Sequence, residues 1–323
     1  MSTLIHPPIQ VVRGQIAAIA HATMTKTTPE TLHCDYEYDI PQEVLHFDAD
    51  LADAGIPFRR WLIGDAENPV AIAFCFRATW NTPRHTFWAH VRVAPAFRGQ
   101  GIGLHLLKTV HHWAASAGAQ RLRVMSHPDA HTIRFLERNA YQHIGTEQLF
   151  GLSIGTHILP YQQTYSDNLE ITTLDELMRS HPDAVEHACV LHAAVSLDVP
   201  MPDEPIVTLS KFRRLLGESI DPADFLVAIR NGMMVGESIL TRDDDNPQVY
   251  WQHATGVLPA FRGQHIATRL KLAAIERAHL RGAHQLRTWM ELSNHPIIQL
   301  NHTLGFRTLE EPGSKIYIFE TVL

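Results

Sequence analysis

A six-residue segment, Pro-Ala-Phe-Arg-Gly-Gln, occurs twice in the chain, at Pro95–Gln100 and again 164 residues later at Pro259–Gln264. The similarity continues at the same offset, since Leu122-Arg123 matches Leu286-Arg287. Solenoid repeats have periods of roughly 20–50 residues, far shorter than this one. The chain therefore contains two copies of one domain.

The first segment lies between a strand pattern and a helix pattern. An extended apolar run, Phe87–Val93, precedes three alternating glycines, Gly99, Gly101 and Gly103, and an amphipathic helical pattern begins at Ile102. Glycines allow a close approach of the backbone to an anion, and the following helix N-terminus adds partial positive charge. The order strand, glycine loop, helix predicts a phosphate site. A tight turn without a ligand is the alternative.

The length and composition suit two globular domains. The 323 residues divide into two domains of about 160, within the usual size range. The polar, weakly periodic stretch 155–168 is the predicted linker, which gives domains at 1–158 and 166–323.

Charge and cysteine usage exclude several classes of protein. The net charge of −7 argues against a nucleic-acid partner. The three cysteines lie far apart and form no CxxC, so neither a disulfide framework nor a metal site is predicted. No signal pattern opens the chain, and no run reaches the roughly 18 apolar residues of a membrane span. We expect a cytoplasmic protein without a membrane partner; the oligomeric state is left open.

Periodicity and turn residues predict the order of elements. A strand and a short helix are expected in 9–24, and another helix in 43–54. The strands expected after them are 58–63, 70–76, 87–93, 121–125, 142–145, 148–154, 169–172, 225–230, 234–240, 249–257, 286–290, 306–309 and 316–320. A helix is expected after each loop, one after Ser126–Asp129 and one after Asn294. Thr173–Glu176 reads as a capping box, and Asn231-Gly232 as a hairpin turn.

This order, with the Val-x-Pro and Arg-x-x-Gly-x-Gly sequences at the first loop, resembles the GNAT acetyltransferase superfamily. Arg98–Gly103 matches the loop consensus of that family at every defined position. The endings Ala140-Tyr141 and Leu304–Phe306 are similar to the end of the family's fourth helix. The resemblance covers nearly the whole chain. It implies an α/β protein of two tandem GNAT-like domains, each a mixed, mostly antiparallel sheet flanked by helices.

The resemblance implies acetyl-CoA as cosubstrate and an amine as acceptor. The pyrophosphate would lie on the two loops, and the pantetheine arm would pair with the strands that end at Val93 and Val257. The cofactor-binding residues so implied are Val91, Val93, Arg98, Gly99, Gln100, Gly101, Ile102, Gly103, Thr255, Val257, Arg262, Gly263, Gln264, His265, Ile266, Ala267, Asn294 and Asn301.

The chain also departs from the family pattern. His265 replaces a glycine in the second loop, which keeps the backbone N–H but narrows the approach to it. The tyrosine that often acts as general acid in the family has Leu136 and Asn301 at its two positions.

A general base is needed because an alkyl ammonium has a pKa near 10.4 and must lose a proton before it attacks. The family often places that base four residues ahead of the valine, which is His253 in the second copy. Strand alternation would put His253 on the same face as Thr255 and Val257. A hydrogen-bonded structural histidine is the alternative. The first copy has Ala89 there, and His90 would face the other way as a packing residue.

The predicted activity is therefore transfer of an acetyl group from acetyl-CoA to a primary amine of a small molecule or peptide, with the second copy catalytic. A non-catalytic acyl-CoA-binding or interaction protein made of two degenerate copies is the alternative. The P-loop and Rossmann patterns are excluded, because Leu104-His105 stands where Gly-Lys-Ser/Thr would be needed and the glycine spacing is GxGxG.

Overall fold

The computed structural model of the chain describes residues 57–64, 69–77, 81–82, 85–155, 168–199, 204–205 and 207–323. The elements predicted in 9–24 and 43–54 lie outside these residues, as does nearly all of the predicted linker. The described residues belong to two compact units. The first combines those up to residue 144 with Ile316–Leu323, and the second comprises those within Gly145–Lys315.

Helices and strands are numbered in chain order. The strands are β1 (Phe58–Gly64), β2 (Pro69–Arg77), β3 (Asn81–Thr82), β4 (Thr86–Val93), β5 (Arg121–Ser126), β6 (Gln142–Ser153), β7 (Leu169–Thr173), β8 (Glu204–Pro205), β9 (Phe225–Arg230), β10 (Met233–Arg242), β11 (Val249–Val257), β12 (Gln285–Glu291), β13 (Arg307–Thr308) and β14 (Lys315–Val322). The α-helices are α1 (Ile102–Ser116), α2 (Ala130–Arg138), α3 (Leu174–Ser180), α4 (Ala184–Ser196), α5 (Leu209–Glu218), α6 (Ile266–Leu280) and α7 (His295–Thr303).

Both units are built on a mixed sheet with the same central order. In the first unit the order is β1-β2-β4-β5-β14, and only β4 and β5 are parallel. In the second it is β7-β9-β10-β11-β12-β6, and only β11 and β12 are parallel. The predicted fold class, tandem domains with mixed, mostly antiparallel sheets, is confirmed.

The last strand of each sequence half lies in the sheet of the other unit. β14 pairs antiparallel with β5 of the first unit, from Tyr317 opposite Ser126 to Val322 opposite Arg121. Residues 147–153 of β6 pair with β12 of the second unit. The predicted domain bounds, 1–158 and 166–323, would leave each copy to close its sheet with its own final strands, and the observed strand pairing differs from this. Both strands carry apolar residues that would suit an antiparallel position in either sheet. Their sequences therefore do not identify the strand with which each will pair.

Two of the predicted local sequence signals are found at element ends. Thr173 and Glu176 form the predicted capping box at the start of α3. Asn231 and Gly232 both have positive φ, as the predicted two-residue turn between β9 and β10 requires. One prediction failed here: residues 142–145 and 148–154 form the single strand β6, because backbone pairing with β12 carries it through the polar residues near Glu147.

The cores lie between the sheets and their helices. In the first unit α1 packs on β2 and β4, burying Leu106, Val110 and Phe87 among other apolar residues. In the second unit α6 covers one face of β9–β11. The helices α3, α4 and α5 belong to a separate cluster on the opposite face, which includes Ile239 and Phe225. The opposed helices bury both faces of the second sheet and fix the strands that lead into its loop.

Candidate functional site

The two repeated loops have the same backbone design. Each passes through a single 3₁₀ turn, Pro95–Phe97 or Pro259–Phe261. The arginine that follows donates from Nε to the carbonyl of the last strand residue, Arg98 to Val93 at 3.0 Å and Arg262 to Val257 at 3.1 Å. The Val-x-Pro-x-x-Arg sequence thus contains both the donor and the acceptor of a hydrogen bond that closes the loop. In each copy the arginine Nε is used in this bond.

The helices after the loops begin without side-chain caps. Neither α1 nor α6 has a capping hydrogen bond or an acidic residue in its first turn, whereas α2, α3 and α5 are capped by Asp129, Thr173 and Thr208. Among the described residues, the backbone N–H groups of 99–104 have no acceptor. Such a cluster of free donors at a helix N-terminus is suited to a phosphate group.

The parallel strands beside each loop separate before they reach it. The pairing of β4 with β5 ends at Ala89 opposite Val124, and that of β11 with β12 ends at Trp251 opposite Arg287. We call the rest of each strand, 90–93 in β4 and 252–257 in β11, its opened segment. Main-chain groups of an opened segment can pair with an extended ligand. Val91, Val93, Thr255 and Val257 lie on these segments.

The second loop carries side-chain contacts that the first does not have in the described residues. The Arg262 guanidinium forms an ion pair with Asp198, just after α4. Arg230 donates to the side chain of Gln264. Around the first loop, Gln100 contacts only the carbonyl of its own turn at Ala96. Anion binding at the second loop therefore competes with Asp198 for Arg262.

His265 occupies a left-handed backbone position at the start of α6. Its φ is 58°, and its counterpart Gly101 has φ 83°. A β-carbon in this region costs roughly 1–2 kcal/mol. The loop thus keeps the same backbone conformation with histidine in place of glycine. This conformation is less favourable for histidine than for glycine.

The orientation predicted for His253 is wrong, because β11 contains a β-bulge at this residue. Ile239 pairs with Ala254 but Leu240 pairs with Gln252, so the register of β10 against β11 skips His253. Thr255 and Val257 face α6. His253 Nε2 is hydrogen-bonded to the Thr241 hydroxyl, and Thr241 shares the opposite face with Ile239. Alternation fails here because a bulge inserts one extra residue.

The bulge also changes which residues of the two copies correspond. The first copy pairs without interruption, Cys75 with Ala89 and Phe76 with Trp88. Ala89 therefore corresponds to Gln252, and His253 has no counterpart. The offset between copies is 164 residues at the loop and 163 ahead of the bulge.

Asn294, Asn301 and His90, three further residues considered in the sequence, differ in burial and in hydrogen bonding. Asn294 precedes α7 without capping it. Asn301 is fully buried, and its Nδ2 lies 2.7 Å from Met290 Sδ. His90 is buried as a packing residue, with no described partner for Nδ1. Burial, together with the nearby charge of Arg92, lowers the pKa of His90 to about 3, which keeps it neutral.

Sequence reasoning missed a buried histidine–glutamate pair and a buried lysine in the second unit. His192 Nδ1 of α4 lies 2.7 Å from Glu237 Oε1 of β10, and Oε2 of Glu237 has no described partner. Lys271 of α6 is buried, and burial lowers its pKa to about 7. A signal was present in each case: Glu237 interrupts an apolar strand, and Lys271 lies on the buried face of its helix.

Paired loops with uncapped helix termini, each beside an opened pair of parallel strands, define a two-copy α/β protein suited to a phosphate-bearing, extended ligand. The model of the acetyltransferase (GNAT) family matches residues 21–141 and 193–306, and with these two segments covering more than half of its length the chain belongs to that family. It is an N-acetyltransferase-family enzyme with tandem domains, as the sequence resemblance predicted.

Relatives and solved structures agree with the tandem arrangement. The chain is 27% identical over 267 residues to the mycothiol acetyltransferase of Thermobifida fusca, covering 76% of this chain and 79% of the relative. It is also 27% identical over 226 residues to that of Thermobispora bispora, covering 66% and 70%. The fold is similar to a tandem GNAT protein from the clavulanic acid biosynthesis pathway, with a TM-score of 0.64, 18% identity and coverage of 97% and 95%. A GCN5-related N-acetyltransferase from Sphaerobacter thermophilus gives a TM-score of 0.63, 16% identity and coverage of 88% and 86%.

No helix within the described residues combines the length and the apolar character that a membrane crossing needs.

Proposed function

We propose that this enzyme transfers the acetyl group of acetyl-CoA to a primary amine of a small molecule or a peptide. The observation that carries the proposal is the set of N–H donors at residues 99–104 that have no acceptor among the described residues and lie next to an opened strand. The second copy repeats the uncapped helix start and the opened strand. The free donors suit a pyrophosphate and the opened strand suits an amide-containing arm. The names of the 27% identical relatives support acetyl transfer.

The loop residues would bind the donor and a strand would orient it. In each copy the loop N–H groups and the arginine Nη atoms would hold the phosphates. Main-chain groups of the opened segment would align the arm, and a strand N–H would stabilise the oxyanion that forms when the amine attacks. Asn294 and Asn301 remain proposed contacts of the second copy. Asn301 would need to leave its buried position to make one.

We infer that the second copy is catalytic and that His253 takes the proton from the attacking ammonium. Histidine side chains in general, with an unperturbed pKa near 6.5, suit the role of a base at neutral pH. Bulges often redirect a side chain next to an active site, and the bulge at His253 is absent from the first copy. The hydrogen bond with Thr241 would orient the imidazole ring.

The test is a panel of primary amines incubated with acetyl-CoA, with release of free thiol as the readout. We expect turnover with at least one amine, and isothermal titration should detect CoA binding. Binding without turnover on any amine would favour the alternative, a non-catalytic acyl-CoA-binding protein. Absence of CoA binding would contradict both.

A further inference from the structure

A chain of hydrogen-bonded side chains crosses the core of the second unit between α6 and β11. Lys271 Nζ donates to Gln252 Oε1 at 2.5 Å, and Gln252 Nε2 donates to Ser238 Oγ at 2.9 Å. Ser238 Oγ lies 3.0 Å from Thr255 Oγ1. The first three residues are buried, whereas Thr255 is half-buried. A polar row therefore connects the inside of the core to the opened segment of β11.

The first copy builds the same part of its core from apolar residues. The strand registers and the common loop give the counterparts of Lys271, Gln252, Ser238 and Thr255 as Leu107, Ala89, Ala73 and Val91. Burial of a lysine has a desolvation cost in free energy, whereas burial of a leucine has none. Because the apolar set is sufficient to pack the fold, packing alone does not account for the polar set.

The first two hydrogen bonds of this row have a fixed direction. An amine donates to the carboxamide oxygen whether or not it is protonated, so the bond from Lys271 to Gln252 survives a pKa near 7. The carboxamide then donates to Ser238. The hydroxyl of Ser238 has two acceptors in reach, Thr255 Oγ1 at 3.0 Å and the Ala254 carbonyl at 3.4 Å. If it donates to the nearer one, the Thr255 proton is left to point outward.

Thr255 lies where an acyl-CoA arm would run. It is four residues beyond Trp251, the last residue of β11 that pairs with β12. In the described residues no other side-chain contact of Thr255 is found. An outward hydroxyl proton at this position suits a carbonyl oxygen.

We propose that the Thr255 hydroxyl of the second copy donates a hydrogen bond to a carbonyl oxygen of the acyl-pantetheine arm, with Ser238, Gln252 and Lys271 as positioning residues. The inference rests on the proposed function, since it needs an acyl-CoA at the second site. It gives that site a side-chain contact that the first copy lacks, because Val91 has no hydroxyl.

The test compares Thr255→Val with Thr255→Ser in the full chain, by titration with acetyl-CoA and with CoA. Both proteins also carry Gly101→Val, which disables the first loop. Valine stands at this position in the first copy, so Thr255→Val should fold, and its unfolding midpoint is measured alongside. We expect Thr255→Val to weaken acetyl-CoA binding about 3- to 10-fold, the effect of one hydrogen bond, and Thr255→Ser less than about 2-fold.

The two ligands identify the carbonyl. Equal loss for CoA and acetyl-CoA assigns an amide carbonyl of the arm, and loss for acetyl-CoA alone assigns the thioester carbonyl. Ser238→Ala should also weaken binding, and its effect should not add to that of Thr255→Val. Unchanged ligand affinity in Thr255→Val, or an equal loss of affinity in Thr255→Val and Thr255→Ser, would overturn the inference. The proposed function would still stand if the wild-type chain bound the ligands. The reference protein carries Gly101→Val alone. If it binds neither acetyl-CoA nor CoA, the inference is wrong. If the unaltered chain also binds neither, the proposed function fails as well.

Discussion

A single backbone angle distinguishes the two loops most directly. His265 has φ 58° where the first copy has a glycine. We expect His265→Gly to raise the free energy of unfolding by about 1 kcal/mol, because the left-handed conformation penalises a β-carbon. The reciprocal change, Gly101→His, should lower it by a similar amount, since no other atom lies within 4 Å of an added β-carbon and the backbone angle opposes it. Urea unfolding measures both. Equal stability in the two variants and the wild type would contradict the strain.

Lys271 should make stability depend on pH. The folded lysine loses its proton near pH 7, whereas the unfolded side chain keeps it up to about pH 10.5. Between these values the unfolded chain binds more protons, so the free energy of unfolding should rise with pH. Lys271→Met should remove most of this rise. Urea unfolding from pH 7 to 10 checks it, with the exposed residue Lys108 changed to Met as the control. Parallel curves for wild type and Lys271→Met would refute the buried titration.

His253 is the residue on which the proposed chemistry depends most. His253→Ala should lower turnover of a substrate amine about 10²–10⁴-fold, the usual loss for a general base, and should remove the acidic limb of the pH–rate profile. CoA affinity should change little, because the loop backbone rather than His253 is the proposed cofactor contact. Steady-state rates from pH 5 to 9 provide the measurement. Undiminished turnover in His253→Ala, together with loss of activity on disabling the first loop, would assign catalysis to the first copy.

At the scale of elements, the contact between the second loop and the turn after α4 should weaken anion binding. Asp198→Asn frees the Arg262 guanidinium. The gain in CoA affinity at the second loop should be at most about 5-fold, because both partners are substantially exposed and such pairs contribute about 0–1 kcal/mol. Titration calorimetry tests it, with the exposed, distant Asp244→Asn as control. A weaker affinity in Asp198→Asn would mean that Asp198 helps to hold the arginine in place.

Sequence patterns predicted the elements better than their partners. The bounds of β11, the capping box at Thr173 and the turn at Asn231-Gly232 follow from local preferences, and all were confirmed. The bulge at His253 was missed because it depends on the register between strands rather than on the composition of one strand. The row from Lys271 to Thr255 was missed because its members meet only after β10, β11 and α6 have packed together.

At the scale of the whole molecule, residues near the end of the chain should stabilise the first unit. Glu320 of β14 accepts from the buried Arg123 of β5, at 2.8 Å from its Nε. Removal of one partner of a buried ion pair costs roughly 3 kcal/mol, so Glu320→Gln should destabilise the protein by up to that amount. Hydrogen exchange should show the loss of protection in β5. The exposed Glu310→Gln is the control. Loss of protection confined to the second unit would contradict the pairing of β14 with β5.

The exchange of final strands has a consequence for protein synthesis. β5 leaves the ribosome roughly 200 residues before the strand that completes its sheet. At about 5–20 residues per second, this delay lasts on the order of 10–40 s. Throughout that interval one edge of β5 lacks its β14 partner, and an open strand edge can pair with another nascent chain. The first half of the protein thus cannot complete its sheet until β14 has been synthesised, and a stop codon between the two copies would yield an incomplete sheet rather than an independent domain.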